Sequence, residues 1–161
     1  MEMDDLAKKE LTELHALYEE GEVPPMEALD GRLRGMLLAP AVPGPGAGVA
    51  VALARALAQS RAMLWKGKSF RPTSPTTAEG FNLLIALESD HKVAPFHARV
   101  ATSRHDGQPA VELDYDRPEN PLPLRAVVDE LRRVGPSLYL GQAWVRLGSS
   151  GHLLFYFALG R

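Results

Sequence analysis

The chain contains no cysteine. Disulfides, thiolate metal sites and cysteine nucleophiles are therefore excluded, and the redox compartment is left open. It also lacks an excess of either charge: 18 Lys and Arg stand against 20 Asp and Glu, a formal net charge of -2. That balance provides no broad electrostatic reason to bind nucleic acid or an anionic membrane. A long uninterrupted apolar helix is missing too. Residues 36–54 carry no charge, but Pro40, Pro43 and Pro45 interleave with Gly44, Gly46 and Gly48, and Arg55 and Arg61 follow. A membrane-spanning segment must satisfy its own backbone hydrogen bonds, which this one does not, so no membrane association is expected. The opening Met1-Glu2-Met3-Asp4-Asp5 has neither the basic nor the apolar region of a signal peptide. The expected location is the cytoplasm.

Several motifs are also absent. Gly67-Lys68-Ser69 imitates the tail of a phosphate-binding loop, but the glycine needed five positions earlier is Ala62, and a helix-like run precedes the motif where a strand is required. It reads as a strand start with solvated lysines. His15, His91, His97, His105 and His152 never fall at ligand spacing on one helix, and there is no His-Glu-x-x-His run. Gly148-Ser149-Ser150-Gly151 lacks the spacing of a serine-hydrolase elbow. Neither a metal nor a cofactor is called for.

What is present is enough chain, 161 residues with 45% hydrophobic side chains, for one domain with a sizeable core. Residues 4–20 read as a helix with Leu6, Leu11, Leu14, Leu17 and Tyr18 on one stripe, stopped by Gly21. A short helical turn over 26–33, a Pro/Gly loop to Gly48 and a second helix over 49–63 complete an N-terminal helical region, 1–64. From Trp65 the pattern turns to strands: 66–70, 81–87, 93–104, 109–116, 138–147 and 152–159. One helix, 122–134, is placed between the hairpins by Leu124, Val127, Val128, Leu131 and Val134.

Asp106-Gly107 reads as a two-residue hairpin turn. That register sets Ala98, Val100 and Thr102 against Tyr115, Leu113 and Val111 on an apolar face. Arg99 then faces Asp114, and His97 faces Asp116, on a charged face. In the last hairpin a four-residue loop sets Trp144 against Phe155 and Gln142 against Phe157, with Ala143 and Gly141 against Tyr156 and Ala158. One of its faces lines the interior and the shallower one, with Gly141 and Ala143, lies under a helix.

These readings nominate two sets of residues. Tyr115, Trp144 and Tyr156 are candidate ligand-binding aromatics, against the plainer reading that strand aromatics are core. His97 with Asp116 is a candidate acid–base pair, since a carboxylate holds and charges an imidazole. The plainer reading there is a salt ladder continued by Arg99 and Asp114.

Leu29-Asp30-Gly31 and Trp65-Lys66-Gly67-Lys68-Ser69-Phe70 resemble a family of small uncharacterised bacterial proteins named for a Gly-x-Trp-x-Gly motif. Its pattern has Leu-Asp-Gly upstream of a Trp-x-Gly-Lys-x-Phe core, and a companion domain of unknown function follows. The companion half resembles Val127-Val128-Asp129-Glu130-Leu131-Arg132, Leu138-Tyr139-Leu140-Gly141 and the terminal aromatic strand. The first motif glycine is Met63 here, and residues 47–63 are inserted between the two signals. The resemblance implies no reaction. Trp65 and Arg161 also look like the Trp–Arg closure of lipocalin-like barrels, which implies structural roles for both.

The expected fold is α+β: one domain, 1–161, with an antiparallel, lipocalin-like barrel of about six strands over 65–161. The leading functional expectation is a binder of a small hydrophobic molecule. The alternatives are an isomerase- or cyclase-like enzyme using His97 and Asp116, and a structural or interaction protein whose barrel is filled by its own side chains.

Overall fold

The computed structural model describes residues 1–40, 64–86, 89–147 and 150–161. The helix expected over 49–63, residues 41–48 of the Pro/Gly stretch, and Gly148-Ser149 of the last turn lie outside the described residues. Three short helices, α1 (Met3–Leu6), α2 (Leu11–Glu19) and α3 (Met26–Leu29), precede β1 (Gly31–Pro40), β2 (Trp65–Ser74), β3 (Thr77–Ala86), β4 (Ser89–Thr102) and β5 (Pro109–Asp114). A turn of helix, α4 (Leu122–Arg125), leads into β6 (Val127–Gly135), β7 (Leu138–Leu147) and β8 (Ser150–Gly160). Each strand pairs antiparallel with the next, and β8 pairs with β1 to close the barrel. The barrel thus has eight strands where about six were expected. No helix among the described residues is long and apolar enough to cross a membrane.

Each added strand has a local cause. The helical turn expected over 26–33 ends at Leu29, because Asp30 is extended and Gly31 takes a positive φ of 88°. After that break the sequence alternates: Leu33 lies in the barrel core, while Met36 and Leu38 pack on the outside with α1 and α2. The helix expected over 122–134 is one turn followed by β6. Val127 and Leu131 point into the barrel, with Asp129 between them, yet the alternate residues Val128, Glu130 and Arg132 are buried as well. A strand covered on both faces loses its polar–apolar alternation, and its apolar residues then mimic helical spacing. Two neighbours awaiting a partner, β5 and β7, decide the matter. The expected helix over 4–20 is two helices. Glu10 caps α2, its N–H donating to the Glu13 carboxylate at 2.9 Å.

Apolar side chains form two layers. Inside, Leu33, Phe70, Phe96, Leu113, Leu131, Tyr139 and Phe157 belong to one core, closed at one end by Met26 and Leu29 of α3. Outside, Met3, Leu6, Leu14 and Tyr18 of α1 and α2 cover Leu138, Leu140, Tyr156 and Ala158 of β7 and β8.

Both hairpin registers differ from expectation. Ala98 faces Leu113, Arg99 faces Glu112 and His97 faces Asp114. This is a two-residue shift, so each residue keeps its side of the sheet. Ala98, Leu113 and Tyr115 are buried as expected, but Val100 is 41% exposed. The turn is longer than two residues because β6 grips it. Arg132, 1% exposed, donates to both Asp106 carboxylate oxygens at 2.6 and 2.7 Å. Glu130 accepts from Ser103 Oγ at 2.5 Å and from the Arg104 N–H at 2.9 Å. Two bonds to Arg132 hold the Asp106 carboxyl below the usual range.

In the last hairpin a register shift between Ala143 and Trp144 sets Gly141 against Phe157 and Gln142 against Tyr156. A one-residue shift moves a whole set of side chains to the other face. The interior therefore receives Gly141, Ala143 and Phe157, and the helix-covered face receives Gln142 and Tyr156.

Gly67 carries the tightest constraint in the barrel wall. Its φ is +140°, and a Cβ there would lie 2.0 Å from the Leu33 carbonyl oxygen. The strand bends at this point, with a register shift against β3 between Trp65 and Gly67. Gly67→Ala is expected to lower stability by about 2–4 kcal/mol, from forbidden backbone geometry and overpacking together. Urea denaturation of the variant checks this, and an unchanged midpoint would contradict it.

Candidate functional site

Inside the barrel four polar side chains meet. Lys68 of β2 is 3% exposed. Its Nζ lies 2.8 Å from Asp129 Oδ2 of β6 and donates to Asn82 Oδ1 of β3 at 2.8 Å and to the Tyr115 hydroxyl at 2.5 Å. Tyr115 donates to Asp129 Oδ2 at 2.9 Å and accepts from Asn82 Nδ2 at 3.0 Å. The Trp65 indole N–H donates to Asn82 Oδ1 at 3.0 Å, joining the cluster to the barrel end where β2 begins. Rings surround the ammonium: Trp65, Phe96, Tyr115 and Phe157 have centroids 5.1–5.5 Å from Nζ.

The sequence places these groups through alternation. Lys68 and Phe70 share the inner side of β2, and Phe70 packs edge-on to Phe96. Asp129 falls on the inner side of β6 between Val127 and Leu131. Trp65, Lys68 and Phe70 of the motif thus form one wall of this site, and the expectation of a solvated Lys68 is corrected; of the two lysines, Lys66 is the exposed one. Burial pushes the Lys68 ammonium below its usual range, while Asp129 acts in the opposite direction. Burial, and then the Asp129 charge, pushes the Tyr115 phenol well above its ordinary value. Tyr115 is accordingly a neutral donor beside a buried amine and a carboxylate.

One end of this interior reaches the surface. Leu37 lies opposite Phe157, hence on the inner side of β1, and is 45% exposed. Leu64 is 37% exposed. Trp65 and Asn82 are half-buried, and Trp65 stands edge-on to Phe157. Arg161 donates to the carbonyls of Ala28 and Asp30 beside α3, and Trp65 makes its ring contacts with Phe157 and Lys68.

Of the aromatics nominated from sequence, only Tyr115 is in this interior. Trp144 and Tyr156 belong to a hydrogen-bonded chain on the outer wall under α2. The Trp144 indole N–H donates to Gln142 Oε1 at 3.2 Å, Gln142 Nε2 donates to the Tyr156 hydroxyl at 2.5 Å, and that hydroxyl lies 3.0 Å from His15 Nδ1. The sheet separates the two groups. The structure does not bring His97 and Asp116 together either: His97 Nε2 meets Arg117, and Asp116 accepts from Arg125. The longer turn shifts both away from the expected facing positions. Reasoning from sequence missed Lys68, Asn82 and Asp129. The available signal was a charge at an inward position of an alternating segment, and reading 122–134 as a helix concealed it for Asp129.

No family model and no curated protein matches the chain. Among solved structures it is similar to the crystal structure of a protein from Thermomonospora curvata. The two share 20% identity with a TM-score of 0.59, over 95% of this chain and 88% of that one. At that identity the likeness supports the barrel fold alone.

Two predictions follow from these clusters. Breaking the buried pair from one side, by Lys68→Met or Asp129→Asn, leaves an uncompensated buried group and is expected to cost about 3–5 kcal/mol. Lys68→Met with Asp129→Leu is expected to cost less than the two single changes summed, a double-mutant cycle read by chemical denaturation.

The second concerns pH. Burial, and then the His105 ring stacked at 5.0 Å, holds His15 below the usual histidine range. A depressed folded-state value favours the neutral imidazole, whose Nδ1 accepts from Tyr156. Its stabilising contribution is complete above the unfolded value of about 6.5 and declines as pH falls below it. The melting temperature is expected to fall between about pH 7 and pH 5, and less steeply in His15→Gln. Parallel curves for the two proteins would contradict this.

Proposed function

We propose that the protein binds a small hydrophobic molecule inside its barrel, in the manner of lipocalin-like proteins, with the molecule's polar end at Lys68, Tyr115 and Asp129. The observation that carries this reading is the convergence of four polar groups within a ring of aromatic side chains, next to a barrel end that leaves Leu37 and Trp65 partly exposed. Apolar walls with a few convergent polar groups are the usual form of small-molecule sites. Eight-stranded barrels enclose an interior that side chains just fill or that holds one small ligand. Here the apolar body of the ligand lies against Trp65, Phe157 and Leu37, and its oxygen takes the place of one link in the Lys68 cluster. Of the residues that carry the resemblance to the bacterial Gly-x-Trp-x-Gly family, Leu29, Trp65, Lys68, Phe70, Val127, Asp129 and Leu131 belong to this interior, and we include that resemblance in the reading, as a cytoplasmic binding protein.

A second reading, an isomerase- or cyclase-like enzyme, draws on the same cluster. Tyr115 and Asp129 form a neutral donor and a carboxylate beside one amine, which is an acid–base set. In this reading Tyr115, Asp129 and Lys68 do the work first assigned to His97 and Asp116.

Fluorescence titration tests the binding reading. Trp144→Phe leaves Trp65 as the reporter, and the probes are decan-1-ol, decanoic acid and cinnamyl alcohol. At least one is expected to shift Trp65 emission saturably, with affinity at least about tenfold weaker in Tyr115→Phe, the loss of one buried hydrogen bond to a charged group. No saturable change with any probe would leave the filled barrel, an interaction protein, as the better account.

A further inference from the structure

The Lys68–Asp129 pair is a costly way to fill a barrel. Apolar residues of similar volume usually stabilise a core as well as a buried ion pair does, or better. Stability alone therefore gives no reason for an amine at this position, and the amine's surroundings are those of a reactive group. We propose that Lys68 is a carbonyl-capturing nucleophile, whose Nζ condenses with the aldehyde or ketone of a small hydrophobic ligand to form an imine. This rests on the binding reading above and names the class of ligand.

The chemistry needs three things of the site, and each is on hand. The amine must lose a proton, and Asp129 Oδ2 lies 2.8 Å from Nζ to receive it. The carbonyl oxygen must gain protons as it leaves, and the Tyr115 hydroxyl, which accepts from Nζ at 2.5 Å and donates to Asp129 Oδ2 at 2.9 Å, is the neighbouring group that relays them. Water must be kept from hydrolysing the product, and the rings of Trp65, Phe96 and Phe157 enclose the nitrogen. In the first step the nitrogen lone pair attacks the carbonyl carbon, a C–N bond forms, the π pair moves to oxygen, and that oxygen takes the Tyr115 proton while nitrogen gives one of its own to Tyr115 in exchange. In the second the proton that Asp129 took from the ammonium passes through Tyr115 to the hydroxyl, the C–O bond breaks, water departs, nitrogen supplies the electron pair of the C=N bond, and Asp129 is left ionised. The amine and the carbonyl give the imine and one water, with no oxidant or reductant. A protonated imine keeps one N–H, and Asp129 is its counter-ion. Burial favours the uncharged amine that begins the sequence.

The labelling measurement uses the unaltered protein, so folding of a variant does not enter it; the emission measurement uses the Trp144→Phe reporter. Protein is incubated with cinnamaldehyde and sodium cyanoborohydride near neutral pH, then digested and mapped by mass spectrometry. Reduction of the imine adds the mass of the aldehyde less one oxygen. Lys8, Lys66 and Lys92, which are exposed, and Lys9, which is partly so, are internal controls.

The expected result is labelling at Lys68 at least about tenfold above each control near pH 7, where exposed lysines are almost wholly protonated, with the excess shrinking toward pH 10. Cinnamyl alcohol, which binds without condensing, is expected to suppress it. Labelling confined to the controls, with cinnamyl alcohol still shifting Trp65 emission, overturns imine formation and leaves the binding reading intact. Labelling confined to the controls with no emission shift overturns both.

Discussion

The salt bridge between Lys68 and Asp129 spans the barrel. β2 and β6 lie on opposite sides of an eight-membered ring of strands, so no ladder of backbone hydrogen bonds joins them directly. Closing the ring brings the two charges within 2.8 Å, and their desolvation requires that neither be left alone. Asn82 and Tyr115 complete the requirement from β3 and from the end of β5. Four parts of the wall are thereby tied to one point in the interior. The aromatic residues packed around that point, Phe96 and Phe157 above all, take positions set by it.

Strand β6 serves both sides of the wall. Its inner side carries Asp129 to the interior cluster. Its outer side carries Glu130 and Arg132, both 1% exposed, to the 103–108 turn and to α2. Arg132 also donates to the Tyr18 carbonyl at 3.1 Å and stacks over the Tyr18 ring at 4.6 Å. Glu112 adds Arg99 and Arg104 to the same outer network. Three charged positions of one strand, 129, 130 and 132, thus specify the interior, a turn and a helix position. Buried charge of this kind contributes little net stability, but it penalises every arrangement that leaves a member unpaired. That penalty selects the longer turn over the two-residue turn that Asp106-Gly107 favours locally.

The N-terminal helices are short because the barrel wall supplies their stability. Isolated helices of four to nine residues do not persist in water. α1 and α2 instead lay Met3, Leu6, Leu14 and Tyr18 on Leu138, Leu140, Tyr156 and Ala158. The polar chain from Trp144 through Gln142 and Tyr156 to His15 satisfies the groups that this burial would otherwise strand. The outer wall is therefore a second core, and its aromatic residues support a helix, while the aromatic residues of the inner wall surround an amine.

Local sequence was sufficient for the antiparallel barrel character of the C-terminal two-thirds and the burial of Ala98, Leu113 and Tyr115. These follow from the alternation of side chains in strands and from turn-forming residues, which act over a few neighbours. The Trp65 to Phe70 stretch also stood out from its sequence, through Trp, Gly and Phe at close spacing. The identity of β1 and β6 as strands, the exact registers and the interior cluster were decided by tertiary structure. Strand β6 is covered on both faces and so loses its alternation, β1 follows directly on a helical turn that ends only at Leu29, and a register shift of one or two residues costs little until distant partners such as Arg132 and Phe157 are in place. Lys68 and Asp129 are 61 positions apart by their residue numbers, and each alone reads as a solvated charge. Only closure of the ring puts them in the same low-dielectric space, where pairing becomes obligatory and an amine acquires unusual chemistry.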